Sequence, residues 1–272
     1  MTLHIKIGMF DSGVGGLTVL REVERFLPTD SFIYFGDTAR CPYGGKSNTT
    51  IIRYSIENST FLIKQDIDLL IVACHTASSL ALDTLTKTFN IPVLGVVRPA
   101  VALAAKVTQN KRIGVIGTKA TIQSGVYQKE LSDILSGAVV LAQACPLFVP
   151  LIEEQFANET ISKLIVKEYL KPFKEEKIDT LLLGCTHYPL LERLIREEIG
   201  PDVQIVNPAT ACAQAALKIK GDAAVFTKQA RSPGKIPHQF FVSDDPHSFR
   251  QIGERFFGIE LPVIQTVTST FH

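Results

Sequence analysis

The chain has 272 residues, of which 46% are hydrophobic and 20% are charged, and its formal net charge at pH 7 is +1. This composition is typical of a globular protein. It excludes the strongly basic surface of many nucleic-acid-binding proteins, and no apolar run is long enough to cross a membrane. The first residues, MTLHIKIGMFDSG, lack the layout of a signal peptide, so we expect a cytoplasmic protein.

Short apolar runs alternate with longer amphipathic stretches along the chain. Eight runs predict strands, at residues 5–10, 31–36, 68–73, 91–97, 112–117, 138–144, 180–184 and 203–207. Helical patterns lie between them, including a long one at 151–173, so the sequence predicts an α/β fold with mainly parallel sheets. Beyond residue 220 the pattern is less regular, and residues 221–239 predict a loop.

Two stretches of the chain repeat one layout. IDLLIVACHTASS (67–79) and IDTLLLGCTHYPLL (178–191) both begin with Ile-Asp, continue as an apolar run and reach a cysteine next to Thr and His. Cys74 and Cys185 are 185 − 74 = 111 positions apart, which is also the separation of the two Ile-Asp pairs. Two shorter pairs of similar segments follow the same order in both halves. A segment before each cysteine stretch reads KIGMFDS or RIGVIGT, and a segment after it reads VRPA or VNPA. Chance similarity between α/β units is the alternative explanation.

The repeat predicts two pseudo-symmetric α/β lobes. We expect residues 1–97 plus 208–272 to form the first lobe and residues 98–207 to form the second. The chain would cross between the lobes at 97–99 and again at 206–208. Sites in parallel sheets form at the carboxyl ends of strands, so two facing lobes predict an active site in the cleft between them.

The motif FDSGVGG (10–16) predicts a strand, a glycine turn and a helix. Its glycines would let backbone amides approach an anion, although the spacing differs from the dinucleotide fingerprint, and a tight turn between strand and helix is the alternative reason for them. Asp11 is suited to hold an ammonium group or to orient a base; alternatively, Asp11 or Ser12 caps the helix. In the loop GDTARCPYGG (36–45), backbone amides near Tyr43 and Gly44 are suited to a carboxylate, and Cys41 is interpreted as incidental.

The five cysteines are widely spaced, which argues against a disulfide framework and suits a reducing compartment. Cys74 and Cys185 precede predicted helices, whose N-terminal dipoles would favour thiolate. Two alternatives remain open. Both thiols are inert, or they bind zinc together with His75 and His187, although neither pair has a usual chelate spacing.

The motifs FDSGVGGLTV, GDTARCPYG, VACHTAS, CPLFVPLIEE and GCTHYPLL together resemble glutamate racemase, a cofactor-independent enzyme family that makes D-glutamate for peptidoglycan. They follow the family's order from about residue 7 to residue 210. The resemblance implies that the catalytic residues are Cys74 and Cys185 as the two bases, assisted by Asp11, His187 and Glu153. It implies that the substrate is bound by Ser12, Tyr43, Gly44, His75, Thr76 and Thr186.

The resemblance also implies a small amino-acid substrate, no cofactor and no metal. It implies no nucleic-acid or membrane partner, and it allows a homodimer. Removing a proton from one face of Cα and returning one to the other requires two opposed groups, which two thiols can supply. The chain has no recognisable pyridoxal-type lysine motif, which agrees with a cofactor-independent route. Two alternatives are a racemase of aspartate or another amino acid, and a catalytically impaired binding protein of the same fold.

Three positions depart from the family pattern. The family usually has Asn, which helps to hold the α-carboxylate, where this chain has His75. Histidine would still donate a hydrogen bond, especially if protonated, or it would reduce activity or shift specificity. The family usually has Glu at the position of Arg98 and Asp-Ser at Asn207-Pro208. We expect these two changes to alter contacts between the lobes.

Overall fold

The computed structural model describes residues 4–154, 159–222, 238–258 and 260–267. The strands in these ranges are β1 (Lys6–Asp11), β2 (Ser31–Gly36), β3 (Leu69–Val72), β4 (Val93–Gly95), β5 (Arg112–Gly117), β6 (Val139–Ala144), β7 (Thr180–Gly184), β8 (Gln204–Val206), β9 (Gln239–Val242) and β10 (Ile264–Thr266). The helices are α1 (Leu17–Phe26), α2 (Asn48–Ile63), α3 (His75–Leu80), α4 (Leu82–Thr88), α5 (Val97–Val107), α6 (Lys119–Gln123), α7 (Val126–Ile134), α8 (Phe148–Glu153), α9 (Glu159–Glu175), α10 (Glu192–Ile199), α11 (Pro208–Gly221) and α12 (Pro246–Phe257).

The strands form two parallel sheets, which confirms the predicted α/β class with two lobes. The first sheet has the order β10-β9-β2-β1-β3-β4, and the second has the order β6-β5-β7-β8. All eight strands expected from the apolar runs are present. β9 and β10 were not predicted, because they have only four and three residues and follow an irregular stretch.

Both faces of each sheet are covered, as parallel sheets require. In β1, Ile7 and Met9 pack into the cluster that contains residues of α1 and α11, whereas Phe10 packs with α2, α3 and α4. In β7, Leu181 and Leu183 pack with α8, α9 and α10, while Leu182 between them packs with α5 and α7. Successive strand residues point to opposite faces, so each apolar run contributes to two cores.

The aspartates of the repeated Ile-Asp pairs have equivalent structural roles. The backbone amide of Asp68 donates to Lys6 O at 2.7 Å, and that of Asp179 donates to Arg112 O at 3.1 Å. The Asp68 carboxylate accepts from the amide of Lys6, and the Asp179 carboxylate accepts from the amides of residues 109 and 110. Each aspartate therefore fastens the start of its strand to the start of the neighbouring strand, β1 or β5, which explains why the repeat includes this polar residue.

The chain passes from the first sheet to the second after β4 and returns after β8, with β9 and β10 completing the first sheet. The domain boundaries, 1–97 plus 208–272 and 98–207, stay a prediction. Residues 155–158 of the long helical pattern and residues 223–237 of the expected loop lie outside the described residues. Among the described helices, none combines the length and apolarity needed to cross a bilayer.

Candidate active site

The two repeated cysteines lie at the carboxyl ends of equivalent strands. Cys74 follows β3 and occupies the N-cap of α3, and Cys185 follows β7 just before a 3-10 turn at Tyr188–Leu191. Both are buried, with 4% and 6% exposure, and both line the same cavity between the two sheets. Because the sheets present the same strand ends to one another, the fold delivers one thiol from each lobe to a common space.

The cavity is small, with a volume of about 20 Å³, and it lies between side chains of both lobes. The expected site residues that line it are Ser12, Tyr43, Gly44, Cys74, His75, Thr76, Cys185, Thr186 and His187. The lining also includes four residues that were not expected, Cys41, Pro42, Thr118 and Val149. Asp11 and Glu153 do not line the cavity, and each reaches it through a neighbour.

His187 connects Cys185 to Glu153. Its Nδ1 lies 3.8 Å from the sulfur of Cys185, and its Nε2 lies 2.8 Å from Oε1 of Glu153. Burial alone lowers the pKa of His187, but hydrogen bonds to Cys185 and Glu153 outweigh it and raise this pKa well above the ordinary value. The imidazole is therefore kept protonated beside the sulfur.

Asp11 is the polar group next to the other thiol. The carboxylate is fully buried; it accepts a hydrogen bond from Gly13 N at 3.0 Å and one from the Thr186 hydroxyl at 3.4 Å. Burial raises the pKa of Asp11, and His187 partly opposes the shift. Since Thr186 belongs to the second lobe, Asp11 also joins the two lobes behind the cavity.

Gly15 and Gly16 of FDSGVGG serve close packing, and the interpretation of this turn as an anion-binding site stays a prediction. A Cβ on Gly15 would lie 2.5 Å from His187 Nδ1 and from Thr186 Oγ1, and a Cβ on Gly16 would lie 2.5 Å from Asp11 Cβ. The N-cap of α1 is Gly16, so neither Asp11 nor Ser12 occupies the N-cap position of this helix. The missing side chains let the start of α1 contact the polar groups of the site.

Burial has a larger effect on the pKa of Cys74 than the dipole of the helix that follows it. Burial, followed by the Asp11 carboxylate, raises the pKa of Cys74 to about 12, although hydrogen bonds from Ala77 N and Ser12 oppose the shift. α3 has six residues, so its dipole gives limited compensation. The expectation that the helix N-terminus favours thiolate at Cys74 is therefore wrong, and this group is a thiol at neutral pH.

The zinc alternative has no geometric support among the described residues, where no group of three or more potential ligands converges. Cys74, His75, Cys185 and His187 all belong to the described part of the chain. All five cysteines are free thiols.

Comparisons with known proteins give the family. Residues 19–216 match the Asp/Glu/Hydantoin racemase family. Glutamate racemase of Geobacter metallireducens is 47% identical over 262 residues, which are 96% of this chain and 96% of that protein. The chain belongs to the glutamate racemase family.

Solved structures of family members share the whole fold. The crystal structure of glutamate racemase from Bacillus anthracis superposes with a TM-score of 0.91 at 38% identity, and 98% of each chain is covered. The Francisella tularensis glutamate racemase, solved in complex with D-glutamate, gives a TM-score of 0.88 at 34% identity, again with 98% of each chain covered. The similarity therefore includes both lobes and the cleft.

His75 is the departure from the glutamate racemase pattern that reaches the cavity. It is 3% exposed, and neither ring nitrogen has a hydrogen-bond partner in the described structure. Burial lowers the pKa of His75 to about 3, so the ring is neutral and any hydrogen bond that it donates comes from the neutral imidazole. A buried nitrogen without a hydrogen-bond partner is costly, so His75 is the least satisfied side chain of the cavity lining.

The other two departures lie away from the cavity. Arg98 donates to Glu130 of α7 at 3.0 Å and to Asp83 of α4 at 3.1 Å, so it joins helices that cover different sheets. Asn207 is the N-cap of α11, where its side-chain oxygen accepts from Ala209 N at 3.0 Å and Pro208 takes the first helical position. Arg98 therefore links the lobes, as expected, and Asn207-Pro208 starts a helix.

Two of the four unexpected lining residues make polar contacts within the site. Thr118 forms a hydroxyl cluster with Thr76 at 2.9 Å and with Thr121 at 2.9 Å. The repeat contained its signal, because RIGVIGT aligns Thr118 with Ser12. Cys41 is not incidental, since it lines the cavity and its sulfur lies 3.7 Å from Glu153 Oε1; no local pattern indicated this.

Proposed function

We propose that this chain interconverts L-glutamate and D-glutamate without a cofactor, with Cys74 and Cys185 as the two bases. One observation carries the proposal: two buried thiols, at the carboxyl ends of equivalent strands, line one small cavity between the lobes. A racemase needs a proton acceptor on one face of Cα and a proton donor on the other. A pair of thiols from facing lobes meets this need.

From L-glutamate, the Cys185 thiolate removes the Cα proton, so that a C–H bond breaks and an S–H bond forms. The electron pair left on Cα is delocalised into the α-carboxylate, and the carbon becomes planar. The Cys74 thiol then delivers its proton to the opposite face. The pKa of about 12 supports Cys74 as a protonated donor before the reaction from this side begins. From D-glutamate the two sulfurs exchange roles.

His187 and Asp11 assist the two thiols in this proposal. The protonated His187 ring, 3.8 Å from Cys185, stabilises negative charge on that sulfur while Glu153 holds the imidazole in place. Asp11 is the partner of Cys74, and it acts from behind the cavity lining, where its carboxylate accepts a hydrogen bond from Thr186. Charge developed on the carboxylate is best stabilised by fixed donors in a site that excludes water.

The polar lining residues divide between the two ends of the substrate. We assign Ser12, Tyr43 and Gly44 to the end of the substrate that lies against the 36–45 loop. We assign His75, Thr76 and Thr186 to the α-carboxylate and α-amino region. Each of these six residues lines the cavity, which supports the assignment.

The cellular role and assembly follow from the same proposal. D-glutamate would enter peptidoglycan synthesis, whose soluble precursors are made in the cytoplasm, so we place the protein there. A homodimer is the proposed assembly, supported by exposed apolar side chains near α8 and α9: Leu147, Ile161 and Leu164. Light scattering coupled to size-exclusion chromatography gives the oligomeric state directly.

Incubation with L-glutamate or L-aspartate in deuterated water tests the activity. Loss of the Cα proton signal of glutamate, together with appearance of D-glutamate, is the expected result. Exchange of aspartate alone would identify an aspartate racemase. Tight binding of either amino acid without exchange would identify a binding protein whose site has lost its chemistry.

A further inference from the structure

The hydroxyl of Tyr43 is fully used by hydrogen bonds behind the cavity. It donates to the carboxylate of Asp37 and accepts from Nδ2 of Asn58 at 2.9 Å. Tyr43 is 1% exposed and lines the cavity next to Gly44, in the 3-10 turn Tyr43–Gly45. What this turn offers a substrate is therefore its main chain and the ring, whereas the hydroxyl serves as an anchor.

The Asp37 carboxylate that accepts the hydrogen bond from Tyr43 also forms an ion pair with Arg40. Arg40 Nε lies 2.7 Å and 2.9 Å from the two carboxylate oxygens of Asp37, which is fully buried. The same guanidinium donates to Asn58 Oδ1 at 2.8 Å and pairs with Glu57. Ser243, after β9, donates to Asp37 at 3.0 Å. The loop is thus tied to α2 and to the end of β9, both in the first lobe.

The charge state of the anchor suits this arrangement. Burial, followed by the neighbouring Asp37 carboxylate, raises the pKa of Tyr43 well above its ordinary value. The hydroxyl therefore keeps its proton and acts as a donor to the carboxylate. A buried carboxylate with several donors in fixed positions is a rigid attachment point, because each lost bond would leave a desolvated charge unpaired.

On its other side, the turn contacts the second lobe. A Cβ on Gly44 would lie 2.6 Å from Cβ of Thr118, so the main chain at Gly44 packs directly against a residue that also lines the cavity. The turn is held from behind by the first lobe and touches the second lobe in front. A small shift of the turn would change the cavity where the substrate must fit.

We propose that Asp37, Arg40 and Asn58 are positioning residues, which set the Tyr43–Gly44 turn against the substrate through the Tyr43 hydroxyl. The inference rests on the proposed function, because it assigns these residues to binding of the glutamate skeleton by that turn. None of the three lines the cavity. They act on the substrate through Tyr43, by fixing the turn before the substrate arrives.

The test is the Tyr43→Phe variant, which removes the hydroxyl and keeps the ring. The second variant, Asn58→Ala, removes the hydrogen bonds that connect α2 to the Tyr43 hydroxyl and to Arg40. The matched control is Tyr127→Phe, because Tyr127 is equally buried at 1% exposure and its hydroxyl has no partner in the described structure. Hydrogen–deuterium exchange of the 38–46 segment and steady-state kinetics are measured on all three variants and on the unmodified protein.

Tyr43→Phe and Asn58→Ala should exchange faster in the 38–46 segment and raise KM for both enantiomers about tenfold, with kcat changed less than about threefold. Tyr127→Phe should match the unmodified protein in both measurements. Unchanged exchange in both test variants, or a fall in kcat at constant KM, would overturn the positioning role. If the unmodified protein does not racemise glutamate, the proposed function fails, and the exchange data still decide whether the hydroxyl anchors the turn.

Discussion

The imidazole of His187 is hydrogen-bonded through Nε2 to the carboxylate of Glu153, at a distance of 2.8 Å. His187 is 2% exposed, so burial by itself would favour the neutral ring. The partners on both sides, Cys185 and Glu153, reverse that preference and raise the pKa of His187. Glu153 thereby influences the charge beside the sulfur of Cys185 although it does not line the cavity.

Glu153→Gln should weaken catalysis by changing the proton affinity of His187. The amide keeps the size of the side chain and removes its charge, so the pKa of His187 should fall. We expect the alkaline limb of the kcat/KM profile to move to lower pH, with kcat/KM reduced about tenfold at pH 8. The control is Glu154→Gln at the neighbouring exposed residue, which should retain the original profile. An unshifted alkaline limb in Glu153→Gln would contradict the role.

The main architecture and the thiols could be predicted from the sequence, because their signals are local. Apolar runs that end in polar residues mark parallel strands, and the 111-residue repeat placed Cys74 and Cys185 at equivalent strand ends. Glu153 was predicted as a site residue through the resemblance to a family. Its contact with His187 joins positions 34 residues apart, and no spacing rule connects them.

The charge states could not be predicted, because they depend on desolvation. The sequence suggested thiolate at Cys74 and left the protonation of His75 open, but both groups are buried, and burial shifts each towards its neutral form. The packing role of Gly15 could not be predicted from the sequence either. The atoms that exclude a side chain there belong to His187 and Thr186, which are more than 170 positions away; local sequence therefore suggested only a turn.

Gly15→Ala should impair activity by pushing the lobes apart at the site. The new methyl group would lie 2.5 Å from both His187 Nδ1 and Thr186 Oγ1, so either these side chains or the start of α1 must shift. We expect kcat/KM to fall about 100-fold, as small displacements of catalytic groups can cause. Gly221→Ala is the matched control, because a Cβ there meets no atom within 4 Å. Full activity of Gly15→Ala would show that the contact is not needed.

His75 should make the protein less stable in acid. Burial lowers the pKa of His75 to about 3 in the folded state, whereas the unfolded chain titrates near 6.5. The unfolded chain therefore binds more protons below pH 6.5, and the stability present above that pH is lost progressively as the pH falls towards 3. Between pH 7.5 and pH 5.5 this amounts to about 1.4 kcal/mol.

Urea unfolding of the His75→Asn variant at these two pH values measures the contribution. The loss of unfolding free energy between pH 7.5 and pH 5.5 should be smaller in the variant by about 1.4 kcal/mol. His247→Asn, which changes an exposed histidine, should lose as much as the unmodified protein. Equal losses in His75→Asn and the unmodified protein would mean that His75 takes up protons in the folded state.

The assignment of each thiol to one enantiomer requires a half-reaction. L- and D-glutamate have equal free energies, so any variant must have the same kcat/KM in both directions, and racemisation rates alone cannot separate the two sulfurs. Cys74→Ala and Cys185→Ala should both lose racemisation, because each lacks either the base or the acid. The remaining thiol should still remove the Cα proton of its own enantiomer.

A glutamate analogue with a leaving group at Cβ makes that proton removal visible, because the carbanion expels the group before it can be reprotonated. Cys74→Ala keeps Cys185 beside His187, so it should eliminate from the L analogue. Cys185→Ala keeps Cys74 and should eliminate from the D analogue. The opposite preference would exchange the two assignments, and elimination from both enantiomers by each variant would contradict the two-base mechanism. Cys212→Ala, which changes a buried thiol outside the cavity lining, is the control and should act on both enantiomers.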